Sequence, residues 1–415
     1  MHNQTNKYSL SVGTLIAAAA LTFGAANALS ADTLTVIPTM GTDTSNEGRA
    51  ITSDGLFVVG LSGTANGFLY SVANNTVIQP NAVGMVPSIA TGVGYRTDGG
   101  QQQLVIDGWT GSGQADWMTS DGGLTWGAKR RNTSFNTAYQ PPTANSLGAA
   151  PGSDAFYTTF RTTDKHNLYV NKGSGTWNGS TAPTFTTSVK GISADNGVIN
   201  GVSATGRGVG QRAANNYMLD YNGTGTPTPN NFNGLNGTIA GQAFSVSANG
   251  NTIFGQSPIT VGGTTFYGYK ATMSGTTETS IGALPLFGNE AGSVSLQVPY
   301  GASADGVWAV GMDYRGLEKA VVWNTSDANP ANWVPFDLTD LAAADGVLGS
   351  YTRLSRAYSV GEDGLGDLVI TGIGVNGGAT SAFVMTIPMS EVPEPGTLSL
   401  LALGLFGLLA LRRRK

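Results

Sequence analysis

The sequence predicts an all-β fold, a β-propeller of seven blades, on three observations. Glycine is abundant, charged residues are scarce, and a short turn motif between two apolar strands recurs along the middle of the chain. Glycine supplies 60 of 415 residues and charged residues 11%, while hydrophobic residues still make up 40%. Many short strands joined by Gly, Asn, Asp, Ser and Thr turns give such numbers, and a disordered chain does not.

The repeat begins as Ala50-Ile51-Thr52-Ser53-Asp54-Gly55 followed by Leu56-Phe57-Val58-Val59-Gly60. It returns at Gly191-Ile192-Ser193-Ala194-Asp195-Asn196-Gly197 with Val198-Ile199-Asn200-Gly201, and at Ser245-Val246-Ser247-Ala248-Asn249-Gly250 with Thr252-Ile253-Phe254-Gly255. A fourth clear copy is Ala302-Ser303-Ala304-Asp305-Gly306 with Val307-Trp308-Ala309-Val310-Gly311. Weaker copies start near Gly92, Ser146 and Tyr358, so seven starts lie about 43–57 residues apart, the length of a four-stranded propeller blade.

Each part of the unit has a mechanical role. Asp-Gly or Asn-Gly supplies the positive φ values of a tight hairpin turn, which makes Asp54, Asp121, Asp195 and Asp305 structural turn residues. The Gly that ends the second strand allows close backbone approach. Aromatic-rich strands follow, as in Gly67-Phe68-Leu69-Tyr70 and Ala320-Val321-Val322-Trp323. Leu34-Thr35-Val36-Ile37 precedes the first unit and is placed to supply the outer strand of the last blade, closing the ring and removing an exposed edge. A β-sandwich pair or a β-solenoid uses the same strand signals and stands as the alternative.

Thr119-Ser120-Asp121-Gly122-Gly123-Leu124-Thr125-Trp126 resembles the Asp-box, a hairpin motif of sialidase-like propellers. In that family the Asp satisfies backbone donors in the turn and the Trp packs between strands. The wider repeat resembles the Ser-x-Asp-Gly-x-x-Val-x-Gly units of bacterial extracellular propeller-like proteins. Both resemblances imply a fold and no activity.

The chain divides into a signal peptide (1–28), an N-terminal strand and linker (29–46), the propeller repeats (47–387) and a sorting tail (388–415). Lys7, an apolar run from Leu15 to Ala26, and small residues at Ala26 and Ala28 form a secretory leader cleaved after Ala28. At the other end, Val392-Pro393-Glu394-Pro395 precedes a Leu/Gly-rich stretch and then Arg412-Arg413-Arg414-Lys415. The prolines forbid helix and ladder pairing, and the apolar stretch of about 15 residues makes a helix of about 22 Å, short for a span. The basic cluster holds its own end at the cytoplasmic side. This order resembles the PEP-CTERM sorting signal. It implies recognition of Pro393, Glu394 and Pro395 by an exosortase at the inner membrane of a Gram-negative bacterium, in organisms that export polysaccharide.

Chemistry is sparse. Cysteine is absent, so disulfides, thiolate metal sites and a Cys nucleophile are excluded. Once the leader is removed, His166 is the sole imidazole, too few for zinc; its setting, Thr163-Asp164-Lys165-His166-Asn167, reads as a polar loop without a nucleophile elbow. Arg49, Arg96, Arg161, Arg207 and Arg315 are scattered over the units, with no motif gathering them around a substrate. Oxygen-rich turns suit calcium better than zinc, yet no calcium-loop pattern selects a site, so no cofactor is expected. Removing Lys7 and the four C-terminal bases leaves 16 bases against 26 acids, an ectodomain that repels nucleic acid.

The expectation is an exported protein of the cell surface or extracellular matrix whose propeller binds or organises exopolysaccharide or another surface component, with no catalytic residues. The alternative is a secreted glycan hydrolase or lyase using carboxylates on the propeller face. Signal peptidase and exosortase are the expected processing partners.

Overall fold

Short apolar runs broken by Gly-containing turns pair with their sequence neighbours, and that local rule generates the whole architecture. The structure, a computed structural model, describes residues 33–389 apart from 83, 99, 111–112, 121–122, 124, 131–146, 150–154, 162–165, 174–184, 192–197, 221–228, 261–263 and 288–295. Among the described residues the strands form seven four-stranded antiparallel groups. The first comprises Asn46–Ile51, Phe57–Ser62, Asn66–Ser71 and Thr76–Ile78; the second Ile89–Asp98, Gln101–Trp109, Gln114–Thr119 and Gly127–Arg130. The third comprises Leu147–Ala149, Ala155–Arg161, His166–Gly173 and Phe185–Gly191; the fourth Val198–Val202, Arg207–Arg212, Asn215–Asp220 and Pro229–Asn231. The fifth (Gln242–Val246, Thr252–Thr260, Thr264–Ser274, Thr277–Ala283) touches the sixth (Leu296–Ala302, Trp308–Tyr314, Glu318–Asn324, Val334–Asp337) through one parallel bridge, Phe266 to Leu296.

The seventh group joins the two ends of the domain. Tyr351–Glu362, Leu368–Asn376 and Ala379–Ile387 are completed by Thr33–Val36, whose Leu34 pairs with Met385 and Thr35 with Val384. The closing strand expected from Leu34-Thr35-Val36-Ile37 is therefore in place. The innermost strands of six groups line one channel, which makes the fold a β-propeller rather than a linear stack of sheets.

The aromatic-rich runs are the third strands of their groups, and they are buried: Phe68, Leu69, Tyr217, Met218, Val321, Trp323 and Phe383 have no more than 1% of their surface exposed. The core lies between neighbouring blades. One cluster joins Val59 and Leu69 of the first group to Ile106 and Trp117 of the second, and another joins Val58 and Tyr70 to Val369 and Val384 of the seventh. Trp126 of the Asp-box-like segment packs in the first of these, with Nε1 donating to the Gly123 carbonyl at 2.9 Å.

The repeat motif resolves into a turn with a different division of labour from the expected one. Gly55, Gly250 and Gly306 are left-handed (φ 71°, 79° and 77°), but the preceding Asp or Asn is not. Asp54 and Asp305 work instead through their carboxylates. Thr52 Oγ1 donates to Asp54 at 2.6 Å, Ser303 Oγ donates to Asp305 at 2.5 Å, and the same carboxylates accept the Leu56 and Val307 amides. Ser247 and Asn249 repeat the arrangement. The hydroxyl in turn accepts a second-strand amide, from Phe57, Thr252 or Trp308. An Asp side chain thus satisfies donors that a two-residue loop would have hidden.

Two positions depart from the repeat read in the sequence. In the fourth group the hairpin is Ser203-Ala204-Thr205-Gly206, with Val198–Val202 before it, so Val198 to Gly201 is an innermost strand rather than a second one. In the seventh, Asp363 takes the place of the hydroxyl residue and accepts the Leu365 and Asp367 amides. Leu338–Ala344, capped by the Asp337 carboxylate on the Thr339 amide, is a short helix the strand pattern did not announce.

The glycine of the second strand has a steric cause. The innermost strands of six groups carry a bulge, for example between Gly48 and Ala50 and between Val298 and Gly301. The bulge pushes a first-strand carbonyl against the second strand. A Cβ on Gly60 would overlap the Glu47 oxygen, and one on Gly311 the Val298 oxygen.

Candidate functional site

The channel runs between the innermost strands, and its narrow part, about 100 Å³, is lined near the hairpins by small and apolar groups: Ile51, Val93, Val202, Val246, Ala302 and Val360, with Ser53, Ser245 and Ser359. Among the described residues no carboxylate lines that stretch. The hairpin end is filled by the repeat itself, because Ala204, Ala248 and Ala304 are the second residues of their turns.

Further along the same strands, toward the opposite end, the side chains become aromatic and charged. Phe244, Tyr300, Tyr358 and Arg49 come from the fifth, sixth, seventh and first groups and form a continuous arc. Phe244 meets Tyr300 edge-on at 5.9 Å, Tyr300 meets Tyr358 at 5.0 Å, and the Arg49 guanidinium sits 5.9 Å from the centre of the Tyr358 ring. Phe244 and Tyr358 are nearly covered, whereas Tyr300 and Arg49 are partly open.

Two ion pairs border the arc. Arg49 Nη2 donates to Glu47 Oε2 at 2.6 Å. Arg356 grips Glu318 with both arms of its guanidinium, one of them Nε to Oε2 at 3.0 Å. The side chains of Arg356 and Glu318 are each about one-third exposed, so this pair faces solvent at the mouth. Hydrogen bonding to Glu318 raises the Arg356 pKa further above its ordinary value. Burial pushes the Tyr300 phenol up to about 12, with Tyr358 adding to the effect. Tyr300 is therefore a neutral donor over the physiological range. Tyr314 and Leu317, 37% and 59% exposed, stand on the turn that leads into Glu318. The mouth thus offers the partly open rings of Tyr300 and Tyr314, guanidinium donors and carboxylate acceptors, with the charges balanced in pairs.

The arginines noted in the sequence do not converge. Among those whose side chains are described, only Arg49 reaches the arc. Arg96 is fully buried and donates through Nε to Gln103, and Arg315 lies beside Asp313. Arg207 is on the hairpin side, gripping Asp220 with two nitrogens and donating to the carbonyls of Gly250 and Gly275. The Arg161 backbone pairs with His166, which opens a strand rather than lying in the polar loop expected for it. Asp54 and Asp305 are in the turns described above. Asp121, Asp195, the cleavage residues Ala26 and Ala28, and the sorting residues Val392, Pro393, Glu394, Pro395, Arg412, Arg413 and Arg414 lie outside the described residues. Tyr300, Tyr358, Phe244, Arg356 and Glu318 escaped the sequence reading, although a positional signal marks three of them. Arg49, Phe244, Tyr300 and Tyr358 each stand five residues before the Asp or Asn of an Asp-Gly or Asn-Gly pair.

Among the described residues, no group of three His, Cys, Asp or Glu side chains is arranged to hold a metal ion, and no helix is long and apolar enough to cross a membrane. Comparison with known proteins decides the character of the C-terminus. Residues 391–415 carry a PEP-CTERM protein-sorting motif. The sorting motif implies an exported, exosortase-targeted protein destined for the surface or the exterior of the cell. Curated protein sequences give no match. Among solved structures, the chain is similar to the Trypanosoma rangeli sialidase bound to the inhibitor DANA, at 10% identity and a TM-score of 0.41, covering 87% of this chain and 60% of that one. It is also similar to TolB from Acinetobacter baumannii, at 10% identity and a TM-score of 0.33, covering 79% of this chain and 78% of that one. The chain spans less than two thirds of the sialidase, and the propeller assignment rests on the strand pairing described above.

Proposed function

We propose that this protein is a surface or extracellular-matrix component of a Gram-negative bacterium, and that its propeller binds exported polysaccharide at the channel mouth. Signal peptidase removes residues 1–28. The exosortase then recognises Pro393, Glu394 and Pro395 while the apolar segment after them holds the protein at the inner membrane. The arc of Phe244, Tyr300, Tyr358 and Arg49 is the observation that carries the binding assignment. Sugar rings stack on open aromatic faces such as those of Tyr300 and Tyr314, and their hydroxyls accept from and donate to groups such as those of Arg356 and Glu318. The charge-paired site suits a neutral or weakly charged glycan better than a polyanion, which also meets an acidic ectodomain.

Binding without cleavage is the reading favoured here. Among the described residues no carboxylate lines the narrow channel, and Glu47 and Glu318 are each held by an arginine. The test is co-sedimentation of the secreted protein with the organism's own exopolysaccharide, with polymer length followed over time. The expected result is association with no shortening, weakened about tenfold, or ~1.4 kcal/mol, by Glu318→Gln combined with Tyr314→Ala. Progressive shortening would place the protein among glycan hydrolases or lyases, and absence of association would sink the binding assignment.

A further inference from the structure

The strand directions fix which face of the propeller carries its attachment to the rest of the chain. The innermost strand of the seventh group ends at Glu362 and turns through Asp363–Asp367, on the same face as the Thr52–Gly55 turn of the first group; Glu362 N donates to the Ser53 carbonyl at 2.9 Å. The third strand of that group, Ala379–Ile387, runs back to this face, where Ile387 pairs with Leu368 and the Met389 amide donates to Asp367. The closing strand begins there too, because Thr33 pairs with Thr386. Chain entry and exit therefore share the hairpin face, while Tyr300, Tyr358 and Glu318 lie toward the opposite one.

The hairpin face also carries two exposed leucines in adjacent turns beside the exit. Leu365 is 85% exposed, the most open of the large hydrophobic residues among those described, and Leu56 is 43% exposed. Their turns are packed together, for Gly55 lies against Val369. Eight residues separate Met389 from the apolar segment that starts at Leu398, a tether of at most about 30 Å.

We propose that in the tail-bearing form the hairpin face is the bilayer-facing side of the propeller, with Leu365 and Leu56 at the lipid surface and the channel mouth turned away from the membrane. This rests on the reading of residues 398–411 as a membrane-held segment. It has a functional consequence: the protein can engage polymer while still attached, before the exosortase acts on the tail. The partner is the lipid headgroup layer that holds the tail. Asp54, Asp305, Asp363 and Asp367 on the same face keep the contact shallow on anionic lipid, so contact is closer on zwitterionic vesicles.

The native chain has no cysteine, so single labels can be placed without background. The test uses the full chain with its tail, reconstituted in phosphatidylcholine vesicles, with a fluorophore at Leu365→Cys, Leu56→Cys or Leu317→Cys. All three side chains are exposed, and the substitutions leave the core intact. Quenching by a headgroup-labelled lipid is expected to be several-fold stronger at 365 and 56 than at 317, and to weaken when phosphatidylglycerol is added. Equal quenching at the three positions, or stronger quenching at 317, in protein that floats with the vesicles overturns the orientation. Protein that fails to float overturns the membrane-held tail as well. Polysaccharide co-sedimentation of the released protein reports separately on the binding assignment.

Discussion

Replacing Arg207 by Ala should loosen the joint between the fourth and fifth groups. Its side chain leaves the second strand of the fourth group and makes four contacts, two with Asp220 of the same group and two with the Gly250 and Gly275 carbonyls of the next. Arg207 is 8% exposed and its bond to the Gly250 carbonyl is buried, whereas the Asp220 side chain is one-third exposed. The Asp220 pair is therefore discounted for solvent to about 1 kcal/mol. Leaving the Gly250 carbonyl unsatisfied costs about 1–2 kcal/mol, and the half-open Gly275 carbonyl less. The expected loss is about 3 kcal/mol, or a melting temperature lower by about 4 °C for a domain of this size. Denaturant unfolding of the secreted domain measures it, provided wild type and variant share the same slope. Arg207→Lys should recover less than half, because an ammonium cannot reproduce the planar fork. A loss below about 0.5 kcal/mol for Arg207→Ala would refute the idea that neighbouring blades are clamped through this residue.

Three further predictions concern the repeat and the mouth. Gly311→Ala should cost about 2–3 kcal/mol by driving a methyl into the Val298 carbonyl, while Gly364→Ala, which meets nothing within 4 Å, should be neutral in the same melt. Asp305→Ala should cost about 1 kcal/mol, because the Ser303 hydroxyl and the Val307 amide both lose their acceptor; Asp305→Asn should recover most of it, as Asn249 does naturally. Alkaline titration followed by phenolate absorbance should show Tyr300 ionising late, near pH 12, because burial opposes its charge; burial raises Tyr95 and Tyr351 as well. These tyrosines release protons from the unfolded chain at about pH 10 and from the folded chain only higher. Stability is therefore fully present below pH 10 and falls as the pH rises toward 12, and a smooth titration near pH 10 with no unfolding would contradict the burial.

The scaffold was legible because it repeats. A turn that needs a hydroxyl, an acceptor two residues later and then a left-handed glycine leaves the same letters at 52–55, 247–250 and 303–306. The fourth group was misread for a physical reason. Ser193 to Gly197 carries the letters, but the hairpin formed at Ser203 to Gly206, where Thr205 stands in the acidic position and Ser203 Oγ still accepts the Arg207 amide. The letters describe a local preference, whereas the strand that packs on neighbouring blades decides which copy becomes the inner hairpin. The sorting tail was legible for another reason: its prolines, short apolar run and terminal arginines form a linear sorting motif, which needs no fold to be read. The mouth was not legible residue by residue, since Tyr300 and Arg356 are ordinary letters until the ring sets them near one another.

The repeat still determines where function can reside. The hairpin ends of the innermost strands are occupied by turn chemistry that varies little, because Thr52, Ser203, Ser247 and Ser303 are each engaged with their own hairpin. Five positions before the Asp or Asn of the turn, that constraint has lapsed, because the residue sits at the bulge and meets the neighbouring blade, and no hairpin bond depends on it. There the groups diverge to Arg49, Phe244, Tyr300 and Tyr358. Selection for folding keeps copies alike, so the position at which otherwise similar copies differ, while still meeting one another in space, is where a ligand can have acted. The contacts from Phe244 to Tyr300, Tyr358 and Arg49 satisfy that criterion over four consecutive blades. The exposed Leu365 and Leu56 are the hairpin-face counterpart. They interrupt a polar turn where nothing in the fold requires an apolar side chain, on the face where the chain departs toward its sorting motif.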